Sequence, residues 1–500
     1  MRTRGFLWLA PLANLALAIP TAKLSAVNAC LNSTDVPWLK PGSEKFEDAI
    51  EPFNARLDFV PAALALPETV KQVQAAVACG VKNEVTVSAR CGGHSYASHG
   101  LGGEDGHLVI DMKKFNTTSV DPDTGIATVG SGLRTGVVAQ AIFDDSERAI
   151  SHGTCPSVGI SGLTLHGGYG LISRAHGVTL DNVVELEVVL ADSTVVTASK
   201  TENEDLFWAM RGAGSSFGIV THFKFQTFEA PKKNVVFNWN IEPEKKKDAV
   251  KVLTVLQDFA IEDQPKEMNL RSFLRGQGMS VEGVYHGTQK DFDVVMEPLL
   301  KKLGLLSANE TIVEDGDDHR EVVGWIEALE SYANGPLDGE PWQETFFSKS
   351  LMPPKLSPEA LTALVDYWFD ETEDFRRSYY LLIDLYGGKS SAVTNVPADD
   401  TSYAHRETIF KMEFYDSQFF GDYPEDGFDF LNGWVDAIQK AQGEETLGMY
   451  INYADPTLTA DEAHEKYWLG NYARLSELKD KYDPDQVFMN PQAINSVDKA

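Results

Sequence analysis

The pattern of hydrophobic and polar positions changes character near residue 231. From residue 60 to about residue 225, short β-rich runs alternate with amphipathic segments and glycine turns, which is typical of a mixed α/β unit. A turn at residues 191–194 predicts a hairpin. The predicted strands are Val85–Ser88, Leu108–Asp111, Ile126–Val129, Val183–Leu190 and Val195–Ala198. The predicted helices are Thr69–Val81 and Thr135–Asp144.

Beyond residue 231, several strands show the period-2 alternation of an antiparallel sheet with one buried face. Helical segments separate these strands, so the pattern predicts a second, α+β domain. Its predicted strands are Val235–Ile241, Asn269–Leu274, Ser280–Tyr285, Tyr379–Tyr386 and Phe410–Tyr415, and its predicted helices include Glu244–Phe259 and Pro358–Phe369. In residues 450–491 we expect one strand and a helix around Ala463–Lys481.

The length of the chain indicates how many domains to expect, and its N-terminus indicates the cellular compartment. A chain of 500 residues is too long for one core, so at least two domains are expected. Arg2 and Arg4 precede a short apolar run that ends near Ile19, which is the pattern of a secretory signal peptide. Cleavage is expected between Ala18 and Ala26, giving a soluble, secreted protein. Three acceptor sites for N-glycans agree with secretion, at Asn32, Asn116 and Asn309.

The charge of the chain restricts its partners. A formal net charge of −31 argues against nucleic acids and anionic membranes and suits a neutral substrate. The acidity can equally serve only to keep the protein dispersed. No segment after the N-terminus is apolar for long enough to span a membrane.

Four cysteines are too few for a disulfide scaffold in a chain of this length. The most economical assignment is one disulfide, Cys30–Cys79, which ties the mature N-terminus to the first predicted helix. Cys155 is then available for chemistry, and Cys91 remains a buried free thiol.

Two glycine-rich stretches, residues 90–96 and 151–170, suggest two loops that close on one cofactor. The pairs Cys91/His94 and His152/Cys155 also have the spacing of zinc ligands, so a zinc site is an alternative. Glycines lie between these residues and after them, which favours a large planar or phosphorylated cofactor. No metal ligand is therefore assigned.

Several motifs occur in an order that resembles one family, the flavin-linked oxidases similar to berberine bridge enzyme. Within it, the chain most resembles the fungal oxidases that act on gluco-, chito- and xylo-oligosaccharides, and the resemblance covers essentially the whole mature chain. The motifs are Gly92-Gly93-His94-Ser95, Ser151-His152-Gly153-Thr154-Cys155-Pro156 through Gly162, Asp205-Leu206-Phe207-Trp208, Gly218-Ile219-Val220, Tyr450-Ile451-Asn452-Tyr453 and Asn490-Pro491-Gln492.

The resemblance implies an α+β fold with a two-part FAD-binding domain of the vanillyl-alcohol-oxidase type. A substrate domain with an antiparallel sheet covered by helices would complete it. The implied division is a signal peptide at 1–22, an FAD-binding domain at 23–227, a substrate-binding domain at 228–449 and a return to the FAD-binding domain at 450–500.

The resemblance also implies that FAD is attached twice, to His94 through the 8α-methyl group and to Cys155 through C6. Two covalent bonds would fix the flavin over an open groove and raise its electrophilicity as a hydride acceptor. The other residues implied to hold the cofactor are Gly92, Gly93, Ser95, Val158, Gly159, Ser161, Gly162, Gly168, Ile219, Val220, Asn452 and Gln492.

For catalysis, the resemblance implies that Tyr453 is the base and that Asp384, hydrogen-bonded to it, takes its proton. A tyrosine with a pKa of about 10 needs such help at neutral pH. The alternative is that Tyr453 is a core aromatic on a strand, with Tyr450 as the fallback base. The implied reaction oxidises the anomeric C1 hydroxyl of a reducing-end sugar to a lactone while O₂ is reduced to hydrogen peroxide, in a monomeric enzyme.

Tyr96 is expected to stack on the sugar ring. Further groove candidates are Trp325, Tyr332, Tyr380 and Glu413. Leu382 stands where the gluco-oligosaccharide oxidases have a glutamine, and Glu413 stands where they have another. Because leucine cannot bind a hydroxyl, we expect a preference for xylo-oligosaccharides, which lack the C6 hydroxymethyl group. Two other functions stay open, a flavin-linked oxidase of a secondary metabolite and a zinc-stabilised secreted binding protein.

Overall fold

The computed structural model describes residues 21–497 except 277, 305–318, 373–376 and 444–446. The helices are α1 Thr21–Asn32, α2 Glu44–Ala49, α3 Val70–Lys82, α4 Thr135–Ser146, α5 Ile160–Leu165, α6 Ser173–His176, α7 Glu204–Ala213, α8 Lys246–Asp258, α9 Gln289–Leu303, α10 Trp325–Ala333, α11 Pro358–Thr372, α12 Glu425–Gln442, α13 Ala460–Trp468 and α14 Tyr472–Tyr482. The strands are β1 Trp38–Leu39, β2 Ala63–Ala65, β3 Val87–Arg90, β4 Leu108–Asp111, β5 Thr118–Val120, β6 Ile126–Gly130, β7 Arg148–Ala149, β8 Val183–Val189, β9 Val195–Ser199, β10 Ile219–Gln226, β11 Phe228–Glu229, β12 Asn234–Ile241, β13 Met268–Arg275, β14 Gly278–His286, β15 His319–Val323, β16 Thr345–Leu351, β17 Ser378–Leu385 and β18 Phe410–Gln418.

The first sheet has the strand order β1-β2-β4-β3, and β4 pairs in parallel with both β2 and β3. Helix α3 packs on it because its apolar positions, including Val73 and Val77, recur on one helical face. The predicted disulfide is confirmed. Cys30 of α1 is bonded to Cys79 of α3, with the two Cα atoms 5.7 Å apart.

The second sheet is antiparallel, with the order β5-β6-β10-β8-β9, and it contains the predicted β8–β9 hairpin. Helices α4 and α7 contribute to its core, in which Phe223 and Phe225 of β10 are fully buried. A two-stranded ribbon joins β7 to β11.

The third sheet is antiparallel and has seven strands in the order β15-β12-β14-β13-β17-β18-β16. The alternation predicted from the sequence is present, because every second residue of β13, β17 and β18 is buried against helices α8, α9, α11 and α12. Except for Asn269, the alternate residues of these three strands line a cavity on the opposite face of the sheet. The α+β class and the antiparallel sheet predicted beyond residue 231 are confirmed.

The C-terminal segment differs from the prediction. Residues Ile451–Tyr453 form a single 3₁₀ turn where a strand was expected, and the Tyr453 N–H donates to the Tyr450 carbonyl. The helix expected around Ala463–Lys481 is two helices, α13 and α14. The chain breaks between them because Leu469 adopts a left-handed φ of 47°. No helix within the described part of the chain is long and apolar enough to cross a bilayer.

Candidate active site

A cavity of about 610 Å³ lies where residues of the three sheets meet. Its walls come from strand β3, from the start of β10, from both glycine-rich loops, and from β13, β17 and β18. The turn at residues 451–453 and the segment 488–493 close it from the C-terminal side. A cavity of this volume accommodates a ligand much larger than a single sugar ring.

The two glycine-rich loops touch through their backbones. A Cβ atom on Gly92 would overlap the backbone nitrogen of Gly159, and a Cβ atom on Gly159 would lie 2.6 Å from Sγ of Cys91. Only glycine permits this approach. Gly162, by contrast, has nothing within 4 Å of its Cβ position, although it lines the cavity.

His94 and Cys155 face each other across the loops. Nε2 of His94 lies 3.7 Å from Sγ of Cys155, and the Ser157 hydroxyl lies 3.1 Å from the nitrogen and 3.2 Å from the sulfur. The His94 ring stacks on Phe53 with centroids 3.7 Å apart. Burial, with Arg134 adding, lowers the pKa of His94 to about 4, so its imidazole is neutral at pH 7 and keeps a nucleophilic lone pair.

The zinc alternative is not supported by the geometry. Cys91 donates its thiol to the Leu133 carbonyl at 3.2 Å, and Nδ1 of the buried His152 lies 2.8 Å from the Gly153 carbonyl. No group of three or more His, Cys, Asp or Glu side chains in the described ranges is arranged to hold a metal ion.

The register of β17 and β18 arranges polar and aromatic residues in pairs along the cavity. Side chains alternate between the two faces of each strand, so residues that lie directly opposite each other on β17 and β18 face the cavity together. From the inner end towards the rim, the pairs are Asp384/Lys411, Leu382/Glu413, Tyr380/Tyr415 and Ser378/Ser417.

Lys411 lies between the two predicted catalytic residues. Its ammonium group contacts Oδ2 of Asp384 at 2.5 Å and donates to the Tyr453 hydroxyl oxygen at 2.9 Å. The expected direct hydrogen bond between Tyr453 and Asp384 is therefore replaced by a bridge. The cause is the strand register, which places Lys411 directly opposite Asp384.

Glu413 is the other charged group beside Tyr453. Its buried carboxylate accepts hydrogen bonds from Tyr96 at 2.8 Å and from Tyr380 at 3.3 Å, and it also interacts with the Tyr453 hydroxyl. Burial raises the pKa of Glu413. Burial, together with Glu413 and Asp384, also holds the pKa of Tyr453 well above its ordinary value, so the resting phenol is protonated.

Comparison with known proteins identifies the family. Residues 61–199 match the family model described as an FAD binding domain, and residues 449–495 match the model described as berberine and berberine like. The chain is 42% identical to the xylooligosaccharide oxidase of Thermothelomyces thermophilus over 492 residues, which cover 97% of each protein. The chain belongs to the FAD-linked oligosaccharide oxidases.

Solved structures agree with this assignment. The present chain matches the xylooligosaccharide oxidase from Myceliophthora thermophila C1, solved with xylobiose, with a TM-score of 0.89 and 41% identity. The match covers 94% of the present chain and 99% of the solved one. The glucooligosaccharide oxidase from Acremonium strictum, which is described with a 6-S-cysteinyl, 8α-N1-histidyl FAD, matches with a TM-score of 0.89 and 39% identity, covering 94% and 99%.

Most residues predicted to hold the cofactor of the oxidase line the cavity. They are Gly92, Gly93, His94, Ser95, Cys155, Val158, Gly159, Ser161, Gly162, Ile219, Val220, Asn452 and Gln492. Gly168 is a correction, because it is not among the lining residues and its N–H donates to the Tyr450 hydroxyl at 2.8 Å. Its φ of 91° and its contact with Thr179 explain why glycine stands there.

The cavity leaves room and polar groups for the cofactor. Oε1 of Gln492 is buried and accepts no hydrogen bond from the part of the chain that the structure describes, although the amide nitrogen donates to the Asp455 carbonyl at 2.7 Å. This unused acceptor, the open space beside Gly162 and the facing His94 and Cys155 fit a long, partly polar group such as FAD.

The predicted groove residues of the oxidase divide into two groups. Those that line the cavity are Tyr96, Tyr332, Tyr380, Leu382 and Glu413. Trp325 does not line it. Its ring packs in a buried cluster with Val236 and Val284, which makes it a core residue.

Sequence reasoning missed Lys411, Arg271 and Tyr415, all of which line the cavity. Tyr332 is less available than expected, because its hydroxyl donates to Asn269 at 2.6 Å and the Arg271 guanidinium covers its ring at 3.7 Å. The signal for Lys411 was present in the sequence, since it stands two residues before Glu413 on a predicted strand and so shares its face.

Proposed function

We propose that the protein oxidises the anomeric C1 hydroxyl of reducing-end oligosaccharides to lactones and reduces O₂ to hydrogen peroxide. The observation that carries the proposal is a single cavity with His94 and Cys155 on one wall and Tyr453 between Lys411 and Glu413 on another. A pair of nucleophiles able to hold a flavin thus shares its space with a proton-accepting group.

In this proposal FAD is bound covalently by His94 and Cys155, as is described for the Acremonium strictum relative. His94 and Cys155 line the same cavity and face each other, so both side chains can reach one ring system placed there. When bound, the flavin supplies the acceptor for the hydride from C1 and the route by which two electrons reach O₂. The glycine-rich loops and Gln492 would hold the rest of the cofactor.

The protein side of the reaction is a proton relay centred on Tyr453. We assign Tyr453 as the group that takes the C1 hydroxyl proton as its own proton passes to Glu413, the carboxylate at its hydroxyl. Lys411 stabilises the negative charge that develops on the tyrosine oxygen. Asp384 fixes the ammonium group in place and does not contact the tyrosine directly.

The substrate proposal is a preference for xylo-oligosaccharides. Tyr96, whose ring is stacked with that of Tyr453 at 5.6 Å, offers an apolar face beside the reacting position. Leu382 lies opposite Glu413 and offers no hydrogen bond for a hydroxymethyl group. A relative of this family is solved with xylobiose, which agrees with this choice.

Secretion, a monomeric state and the division into residues 23–227, 228–449 and 450–500 are also proposals. Asn32 and Asn116 are exposed, as glycan acceptors must be. Residues 1–20, which hold most of the expected signal peptide, and Asn309 lie outside the described residues.

The test is peroxide release from the purified holoenzyme with xylobiose, cellobiose and a panel of phenolic and alkaloid alcohols. We expect a higher kcat/KM for xylobiose than for cellobiose and an aldonic acid as the final product. Equal values for the two sugars would remove the xylo-oligosaccharide preference. Turnover of only the non-sugar alcohols would instead favour an oxidase of secondary metabolites.

A further inference from the structure

Two exposed aromatic side chains lie beside the cavity. Phe419 is 70% exposed and Phe420 is 88% exposed, although phenylalanine side chains of this size are usually buried. Both line a shallow groove of about 430 Å³ together with Arg377, Ser378, Ser417 and Gln418. Adjacent exposed aromatics of this kind mark interaction sites.

The groove is continuous with the substrate cavity. Ser378 and Ser417 line both spaces, and they form the outermost of the four pairs that face the cavity along β17 and β18. Phe419 is the next residue of the same parity after Ser417, just beyond the end of β18. From Lys411 to Ser417 the row extends about 20 Å at ~3.3 Å per residue, which exceeds the length of one sugar ring several times, and Phe419 lies beyond it.

The groove is held in a defined shape. The Gln418 side chain donates to the Phe420 carbonyl at 2.9 Å, and the Arg377 guanidinium pairs with Asp416 at 2.9 Å and with Asp426 at 2.7 Å. The ion pairs neutralise the arginine charge, so the groove presents aromatic faces and small hydroxyls. This is the chemistry that recognises a neutral sugar ring, which stacks on an aromatic face and bonds through its hydroxyls.

We propose that Phe419 and Phe420 form an outer subsite for sugar units far from the reacting end of an oligosaccharide. The occupant is the non-reducing portion of the same chain whose reducing end reaches Tyr453. The inference rests on the proposed function, and it adds a preference for longer chains. Stacking on one or two rings is expected to raise kcat/KM about threefold to tenfold for chains that reach the groove.

The experiment compares wild type, Phe419→Ala, Phe420→Ala and the double variant on xylobiose and xylohexaose. We expect the double variant to lose about threefold to tenfold in kcat/KM on xylohexaose and to keep the wild-type value on xylobiose. Val294→Ala, which removes an equally exposed apolar side chain on α9, is the matched control and should change neither value. Equal losses on both sugars, or no loss on either, would overturn the inference.

A second measurement separates this inference from the proposed function. Xylohexaitol, which lacks the anomeric hydroxyl, reports binding without turnover in calorimetry. Weaker xylohexaitol binding by the double variant supports the outer subsite even if no sugar is oxidised, and such an absence of turnover would refute only the proposed function. Unchanged xylohexaitol binding would contradict the subsite whatever the activity.

Discussion

Replacing Lys411 by methionine tests the proton relay directly. The change removes the ammonium group that lies 2.9 Å from the Tyr453 oxygen and keeps most of the volume of a side chain that is 1% exposed. The resting tyrosine already has a raised pKa because of burial and two nearby carboxylates. Without the ammonium group, forming a negative charge on this oxygen becomes still less favourable.

The size of the effect follows from the geometry. At 2.9 Å and an effective dielectric constant of about 20, a full ammonium–phenolate attraction is about 6 kcal/mol, or roughly four units of tyrosine pKa. The carboxylate of Asp384, 2.5 Å from the same ammonium, offsets part of this attraction. We therefore expect at least about two units, which corresponds to a loss of about 100-fold in kcat at neutral pH.

The assay is steady-state peroxide release as a function of pH. For Lys411→Met, the acidic limb of the kcat profile, which reports ionisation of the proton acceptor Glu413, should move to higher pH because Lys411 lowers the pKa of that carboxyl. The control is Lys479→Met, which removes another buried lysine bonded to an aspartate, Asp483 at 2.6 Å, outside the cavity lining. It should lower thermal stability and leave the profile per bound flavin in place. An unshifted profile for Lys411→Met would refute the relay.

Three further predictions concern the loops, the buried carboxylate and the disulfide. Gly159→Ala should lower flavin content, and it should lower the free energy of unfolding by about 1–3 kcal/mol because the added Cβ overlaps the other loop. Gly162→Ala, which has open space at its Cβ position, should fold with wild-type stability. Equal thermal stability of the two variants would contradict the packing argument. Burial raises the pKa of Glu413 in the folded protein, so its protonated carboxyl stabilises the fold below the unfolded pKa of about 4.3, and this stabilisation is lost as pH rises through the folded pKa. Glu413→Gln should therefore gain stability relative to wild type as pH rises above about 4.3, and a constant difference in melting temperature would refute this. Replacing Cys30 and Cys79 by serine opens a loop with a sequence separation of 49, which should destabilise the protein by up to about 4 kcal/mol in denaturant unfolding; an unchanged midpoint would contradict the role of the crosslink.

The sequence was sufficient to predict the two glycine-rich loops and the strands whose side chains alternate between two faces. The two loops touch through their backbones at Gly92 and Gly159, where any side chain would prevent the contact. The density of glycine in the sequence was therefore enough to indicate two closely approaching loops. The strand that contains Asp384 was predicted from its β-forming residues, which point in turn to the helices and to the cavity. Strand β16 was missed, because three consecutive polar residues, Ser348, Lys349 and Ser350, interrupt the apolar pattern although all three are buried.

The contacts at the reacting position depend on register, which a single strand does not encode. Lys411 becomes the partner of Asp384 only because β17 and β18 pair with these residues opposite each other. Likewise, Tyr453 reaches the cavity from a 3₁₀ turn, although its surroundings read as a strand. Such features are set by tertiary pairing between segments far apart in the sequence.

The most direct test of the account is a visible spectrum of the purified protein before and after acid precipitation and washing. We expect a yellow washed pellet for wild type and for each of His94→Ala and Cys155→Ala, because each of the two side chains is proposed to form its own bond to the flavin. The double variant should release its colour into the supernatant. A colourless wild-type pellet would contradict covalent attachment, and a pellet of the double variant that stays yellow would place the attachment on other residues.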